Sequence, residues 1–429
     1  MSLRHNMLAQ AGGQGGLLLV QLATVPLLIA AWGIDGFGAW AMLTALSGML
    51  ALSDLGFTFV AKNDLALRLA QGDRSGALKS YQTILALLLL SLTILALGVS
   101  GGIALSLQGE WLTLGPIRSH EVAWAIGWLA LTAGLSQMFL LGCAGLRGLG
   151  RPAEEISAAA AVRIAEGTAV VIVALVGHGL AAAAAAACVV RMLACGLLWM
   201  RLRRLAPWLR AGVHHASRDR LRQLAPPALS YMLIPLAHAG LLHAPPLILG
   251  AMSGPPGVAL YAVTRTVARA GTTAATLVNH ALMPEYSYAF GAGRQPRIKA
   301  LFRLHQTLIG FGGLAYAVVL VSAGPWLIHW FSGGAVTAQI WLLTAIGGAV
   351  LLEMGWSACL APRAARNRHA RIAAFAPLAA ATGLGMGSVL ATLIAPPLAL
   401  GCGVALAHAL ICAAALSDRT APLHDRRLI

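Results

Sequence analysis

The chain has 429 residues, 59% of them hydrophobic and 10% charged, with 30 Lys and Arg against 14 Asp and Glu for a net charge of +16. Soluble domains carry about 25% charged residues, and disordered chains combine low hydrophobicity with high charge, so both classes are excluded and an integral membrane protein remains. In a soluble chain the basic surplus would suggest nucleic acid; in a membrane chain it points first to basic loops held on one side of the bilayer.

A spanning helix needs about 20 apolar residues. Runs of that length are predicted at 10–32, 37–60, 80–106, 122–146, 155–177, 180–200, 225–250, 258–282, 304–330, 338–360, 372–395 and 398–417. They are long and continuous, as from Ile84 to Leu97, whereas barrel strands are short and alternate. With the amino terminus cytoplasmic, 25 of the 30 basic residues fall in inside segments and only Arg118 falls outside. One missed span would invert every later loop, so the split supports twelve helices with both termini cytoplasmic. The first run follows Arg4 in the manner of a signal peptide. It exceeds the 7–15 residues of a signal core, however, and reads as the first helix. The six cysteines all lie in predicted helices without a CxxC pair, so they read as inert thiols. No metal or cofactor is expected.

The longest inside loop, 201–224, divides the chain into an N-lobe (1–224) and a C-lobe (225–429) of six helices each. The lobes echo one another at an offset of 221. Trp40 in Gly36-Phe37-Gly38-Ala39-Trp40 pairs with Tyr261 in Gly257-Val258-Ala259-Leu260-Tyr261, and Gly72 pairs with Gly293 in the following basic loops. Six helices separate the copies, an even number, so the repeats share one orientation and are related by a pseudo-two-fold axis along the membrane normal.

Arg163, Arg191, Arg265 and Arg269 are the basic residues inside predicted helices. A charge at the bilayer centre is costly and usually faces protein or a wet cavity. In the eighth run Tyr261, Arg265, Arg269, Thr272, Thr276, Asn279 and His280 fall within an arc of about 100° at helical spacing. In the second run Trp40, Thr44, Ser47, Asp54 and Thr58 form a matching stripe, and Gln10, Gln14, Gln21 and Thr24 form one on the first. These three helices are expected to line a shared central cavity. Isolated Thr and Gln can instead bond to neighbouring helices. Arg265 and Arg269 are harder to dismiss, because like charges one turn apart repel and their own helix carries no acid to offset them. An anion in the cavity would resolve this; Asp54 is the alternative partner. Arg163, Glu166 and Arg191 are expected to form a structural ion-pair group. Glu353 is expected to snorkel toward the inside face. His238 and His243 lie on a helix kinked by Pro227, Pro235, Pro245 and Pro246. Asp54 and His238 are the candidates for coupling transport to an ion.

The run Gly36-Phe37-Gly38-Ala39-Trp40 through Ser53-Asp54-Leu55-Gly56-Phe57, then Gly72-Asp73 and Ala77, resembles the polysaccharide biosynthesis flippase family. So do Gly145-Leu146-Arg147-Gly148-Leu149-Gly150-Arg151, Gly257-Val258-Ala259-Leu260-Tyr261 and Pro284-Glu285-Tyr286-Ser287. The resemblance covers nearly the whole chain and is to O-antigen (Wzx-type) flippases of the multidrug/oligosaccharidyl-lipid/polysaccharide exporter superfamily. It implies two six-helix lobes around a cationic cavity. It also implies movement of undecaprenyl-pyrophosphate-linked oligosaccharide (O-antigen, capsule or exopolysaccharide units) from the cytoplasmic to the periplasmic leaflet of the bacterial inner membrane. Arg265 and Arg269 fit the cationic role, with Gln10, Gln14, Gln21 and Asp54 opposite. Cavity cations are sparse here, and the first-lobe positions matching the arginines are Thr44 and Gly48. The implied partners are the lipid-linked oligosaccharide, membrane lipids, a polysaccharide polymerase and a chain-length regulator, with no nucleic acid; a monomer is expected. The competing readings are a multidrug or small-solute antiporter of the same superfamily, which should concentrate acids in its cavity, and a polysaccharide polymerase or ligase. The latter should show large outside loops and catalytic constellations that this sequence lacks, so a transporter is expected and not an enzyme.

Overall fold

The computed structural model describes residues 3–109, 117–364 and 370–417, and the side chains of these except 3–19, 21, 22, 106–109, 280, 284, 287, 288 and 291. The chain begins with α1 (Leu3–Leu50), a 3-10 turn (Ala51–Asp54), α2 (Phe57–Ala70), α3 (Arg74–Gly109), α4 (Ser119–Gly148), α5 (Pro152–Leu175) and α6 (Leu180–Leu205). It continues with α7 (Arg218–Ala268), α8 (Ala270–Gly291), α9 (Gln295–Phe331), α10 (Ile340–Ala364), α11 (Ala370–Leu390) and α12 (Pro396–Ser417).

Among the described residues ten helical stretches are long and apolar enough to cross a membrane. Two of them hold more than one crossing. At 1.5 Å per residue a straight α7 of 51 residues would run about 76 Å, against about 30 Å of hydrocarbon. Instead α7 breaks at Gly254 (φ 65, ψ −173), and α1 breaks at Gly33 (φ 70, ψ −177). Only glycine enters that backbone region without strain. Divided at these two glycines, the chain yields the twelve spans expected from hydropathy. Gly33 and Gly254 are also 221 residues apart, as are Gly72 (φ 77) and Gly293 (φ 63). The repeat that is faint in residue identity is thus written in the backbone, as breaks at matching positions of both halves.

The second span departs from its expected form. The 3-10 turn and the left-handed pair Leu55 (φ 49) and Gly56 (φ 80) separate α1 from α2. Asp54 and Thr58 therefore do not continue the helical stripe of Trp40, Thr44 and Ser47.

The chain forms two compact units, Met1–Met232 and Leu233–Ile429. In the first, α4 is the helix most deeply covered; it packs against α2, α3 and α6, while α1 packs on α5. Tyr81, Phe139, Leu146 and Leu202 fill the core. At the basic end of this unit, loop cations tie helix ends together. Lys62 (2.9 Å) and Arg147 (2.5 Å) meet Glu155. Arg68 (3.2 Å) and Arg220 (2.5 Å) meet Asp64. Asp73 caps α3 through the Gly76 amide at 2.8 Å and the Ser75 hydroxyl at 3.0 Å, and these donors hold its carboxyl below the usual carboxylate range. In the second unit α10 packs on α8, α9 and α12. α11 and α12 approach closely because Gly383, Gly387 and Gly403 bring the two backbones into contact, the small-residue packing common between membrane helices.

Candidate functional site

The polar centre of the second unit begins with a proline. Pro246 lies inside α7 and has no N–H to donate, so the carbonyl four residues earlier, that of Leu242, loses its helical partner. Arg265 supplies the replacement: its Nη1 donates to Leu242 O at 2.5 Å, with the guanidinium 5.8 Å from the ring centre of buried Tyr261. Inside a membrane such freed carbonyls must find a donor, and here the donor is a charge.

One turn further, Arg269 meets an acid from another helix. Its Nη1 and Nη2 donate to Oε2 and Oε1 of Glu353 on α10 at 3.2 and 3.5 Å. Glu353 is 8% exposed and does not snorkel outward as expected. The reason is its surroundings: His238 Nε2 from α7 lies 3.0 Å from Oε1 and His408 Nε2 from α12 lies 3.8 Å from Oε2. Trp356 Nε1 donates to His408 Nδ1 at 3.1 Å. In the neutral ring that bond assigns the His408 proton to Nε2, the nitrogen facing the carboxylate. Trp356 and His408 stack with ring centres 6.2 Å apart. Two guanidiniums, one carboxylate and two imidazoles thus converge from α7, the α7–α8 junction, α10 and α12 around a cavity of about 20 Å³, room for about one water.

The remaining expected site residues fall elsewhere. Thr272 donates to Arg269 O at 2.7 Å, a bond to its own stretch of chain. Asn279 donates to Ser357 Oγ at 3.1 Å and bonds through Oδ1 to His305 Nε2 at 2.8 Å, while His305 Nδ1 meets Tyr286 OH at 3.3 Å, a separate polar set joining α8, α9 and α10. Thr44 turns back to Trp40 O at 2.8 Å. Asp54 is buried and locally committed: it accepts from the Gly56 amide at 3.2 Å, and from the Thr58 amide and hydroxyl at 3.1 and 2.5 Å. Its carboxylate caps α2, and the acid opposite an arginine is Glu353. The side chains of Gln10, Gln14, Gln21 and His280 lie outside the described residues. In the first unit Arg191 makes a two-pronged pair with Glu166, both bonds 2.6 Å, while Arg163 is exposed on α5. His408 and Trp356 do not stand out in the sequence. The available signal is that an ionisable residue in a spanning helix is functional by default, and His408 is one.

No family model matches the sequence, and no curated protein matches it. Solved structures do. The inward-facing conformation of a multidrug resistance MATE family transporter of the MOP superfamily aligns over 96% of this chain and 94% of its own at 14% identity, with a TM-score of 0.74. An outward-facing conformation of such a transporter aligns over 100% and 98% at 13% identity and a TM-score of 0.57. A MOP superfamily transporter from Pyrococcus furiosus, described as having a binding pocket of reversed polarity, aligns over 99% of both chains at 14% identity and a TM-score of 0.57. The chain is a multi-pass, all-helical membrane protein with the fold of the MATE family transporters of the MOP superfamily.

Proposed function

We infer that the protein is an alternating-access transporter whose cargo is an oligosaccharide carried on undecaprenyl pyrophosphate, moved from the cytoplasmic to the periplasmic leaflet of a bacterial inner membrane. The fold likeness supports transport, because its neighbours include both inward- and outward-facing forms. The observation that carries the anionic cargo is the charge count of the second unit's polar centre. Among the described residues Arg265 and Arg269 face a single carboxylate, Glu353, and Arg265 has a carbonyl and an aromatic face for partners. Arginine presents planar, always-charged donors suited to phosphate oxygens. A pyrophosphate supplies the missing negative charge, and the lipid tail stays in the bilayer while the head crosses. A small cavity fits a resting site whose arginines are held by Glu353 and Leu242 until the cargo displaces them. A polymerase and a chain-length regulator are the partners this role implies, the protein itself working as a monomer.

The test is complementation of a flippase-null strain. Arg265→Ala with Arg269→Ala abolishes surface polysaccharide even when the variant's expression is raised to match the wild-type protein abundance; full complementation by the double variant overturns the cargo assignment. A second reading is an antiporter for small solutes. It is favoured by the acid–base group Glu353, His238 and His408, which has the chemistry to take up and release a proton. Resistance to cationic drugs conferred on a sensitive strain, with no rescue of the flippase-null strain, would select that reading.

A further inference from the structure

The exterior of the first unit carries a feature the transport reading does not use. Two recesses open side by side, one over the end of α6 and the loop that follows it, the other between α3, α4 and α6. One, of about 670 Å³, lies at the basic end and is lined by Trp199, Met200, Arg203, Pro207 and Arg210. The other, of about 470 Å³, continues along the helices over Leu85, Leu89, Leu135, Met138 and Cys195. Gly196, Trp199 and Ala211 line both, so the two form one groove. Its apolar half is flanked by exposed hydrophobic side chains, Leu89 at 43%, Leu193 at 60% and Leu197 at 63%, the surface a helix shows to hydrocarbon. Its other half is cationic. Among the described residues Arg203 has no acid partner, whereas its neighbour Arg201 is paired with Glu154 at 2.8 Å. Among the described residues the Arg210 guanidinium makes one long bond, 3.4 Å, from Nε to Pro207 O. Trp199 marks the boundary, with its indole Nε1 donating to Met138 O at 3.3 Å and its ring between the apolar and basic halves, where tryptophan concentrates in membrane proteins.

We propose that this groove is a binding site for an anionic phospholipid, its phosphodiester held between Arg203 and Arg210 and one acyl chain lying along α3, α4 and α6. Charge selects the headgroup, because basic pockets between spanning helices favour anionic lipids. The groove selects the chain. Gly196 faces it: a Cβ placed there meets no atom within 4 Å, so a larger side chain at this position would project into open space.

The experiment uses the delipidated full chain in detergent and native mass spectrometry. It compares phosphatidylglycerol with phosphatidylcholine of the same acyl chains. Each basic residue near an anionic headgroup contributes about fivefold in affinity, so Arg203→Gln with Arg210→Gln weakens the first bound phosphatidylglycerol by about twenty-fivefold and leaves phosphatidylcholine unchanged. Gly196→Leu fills the groove and weakens both lipids without touching the arginines. Unchanged phosphatidylglycerol binding in either variant overturns the site. A dimer of this chain that Gly196→Leu dissociates would also overturn it, making the groove a contact between copies.

Discussion

Arg265 owes its position to Pro246, and Arg269 owes its position to Glu353. In the first pair a missing amide hydrogen creates an acceptor that a guanidinium fills at 2.5 Å. In the second a carboxylate 8% exposed is tolerable in a membrane helix because a cation and two imidazoles surround it. Removing one partner of such a pair leaves the other uncompensated, which costs more than the pair contributes when intact. Glu353→Gln keeps the shape and removes the charge. It should destabilise the protein by about 1–3 kcal/mol, read as a lowered unfolding temperature in detergent. Adding Arg269→Gln should restore most of the loss, because both charges are then gone. Additive losses in the double variant would show that the two side chains are not coupled. The two arginines were legible in the sequence as like charges one turn apart without an acid on their helix. Their acid was not, because it lies 84 residues further on and nothing local to either residue reveals which helices will pack together. Asp54 looked equally available until the turn at 51–56 showed its oxygens occupied by Gly56 and Thr58.

Two long helices, α1 and α7, each contain a glycine that ends one span and begins the next. At Gly33 a Cβ would meet no neighbouring atom within 4 Å, so the demand is purely one of backbone: a φ of 70 with an extended ψ. Gly33→Ala should therefore cost about 1–3 kcal/mol in strain although nothing blocks the methyl group. Gly254→Ala, at the matching turn, should cost a similar amount. Thermal unfolding of the two variants checks this, and an unaffected melting temperature would mean that the turns relax freely. The offset of 221 between the halves was readable as Trp40 with Tyr261 and Gly72 with Gly293. That Gly33 and Gly254 share it followed only from their dihedral angles, since Gly33-Ile34 and Gly254-Pro255 differ in the residue that follows. Helical periodicity carried the polar stripe of the eighth span but overextended that of the second. A 100° step assumes an unbroken helix, and the left-handed residues Leu55 and Gly56 interrupt it.

For the whole molecule the charge distribution makes a topological statement. The basic helix ends around Gly72, Gly150 and Gly293, together with the loop at 206–217, should lie on one side of the membrane. The turns at Gly177 and Gly334 should lie on the other. Reporter fusions at these positions check it, and an extracytoplasmic signal from the 206–217 loop would refute it. Those cations do more than orient the chain: Lys62, Arg68, Arg147 and Arg220 also join helix ends through Glu155 and Asp64. By itself the sequence determined that this is a multi-pass, all-helical membrane protein, and it set the expectation of twelve spans in two related halves. Hydrophobic run length and loop charge are local quantities, summed along the chain, and bilayer insertion reads them directly. Only the tertiary structure decided which polar residues meet. Pairing of Glu353 with Arg269, His238 and His408 depends on α7, the α7–α8 junction, α10 and α12 converging, and buried ion pairs form where packing places an opposite charge, at whatever separation along the chain that requires.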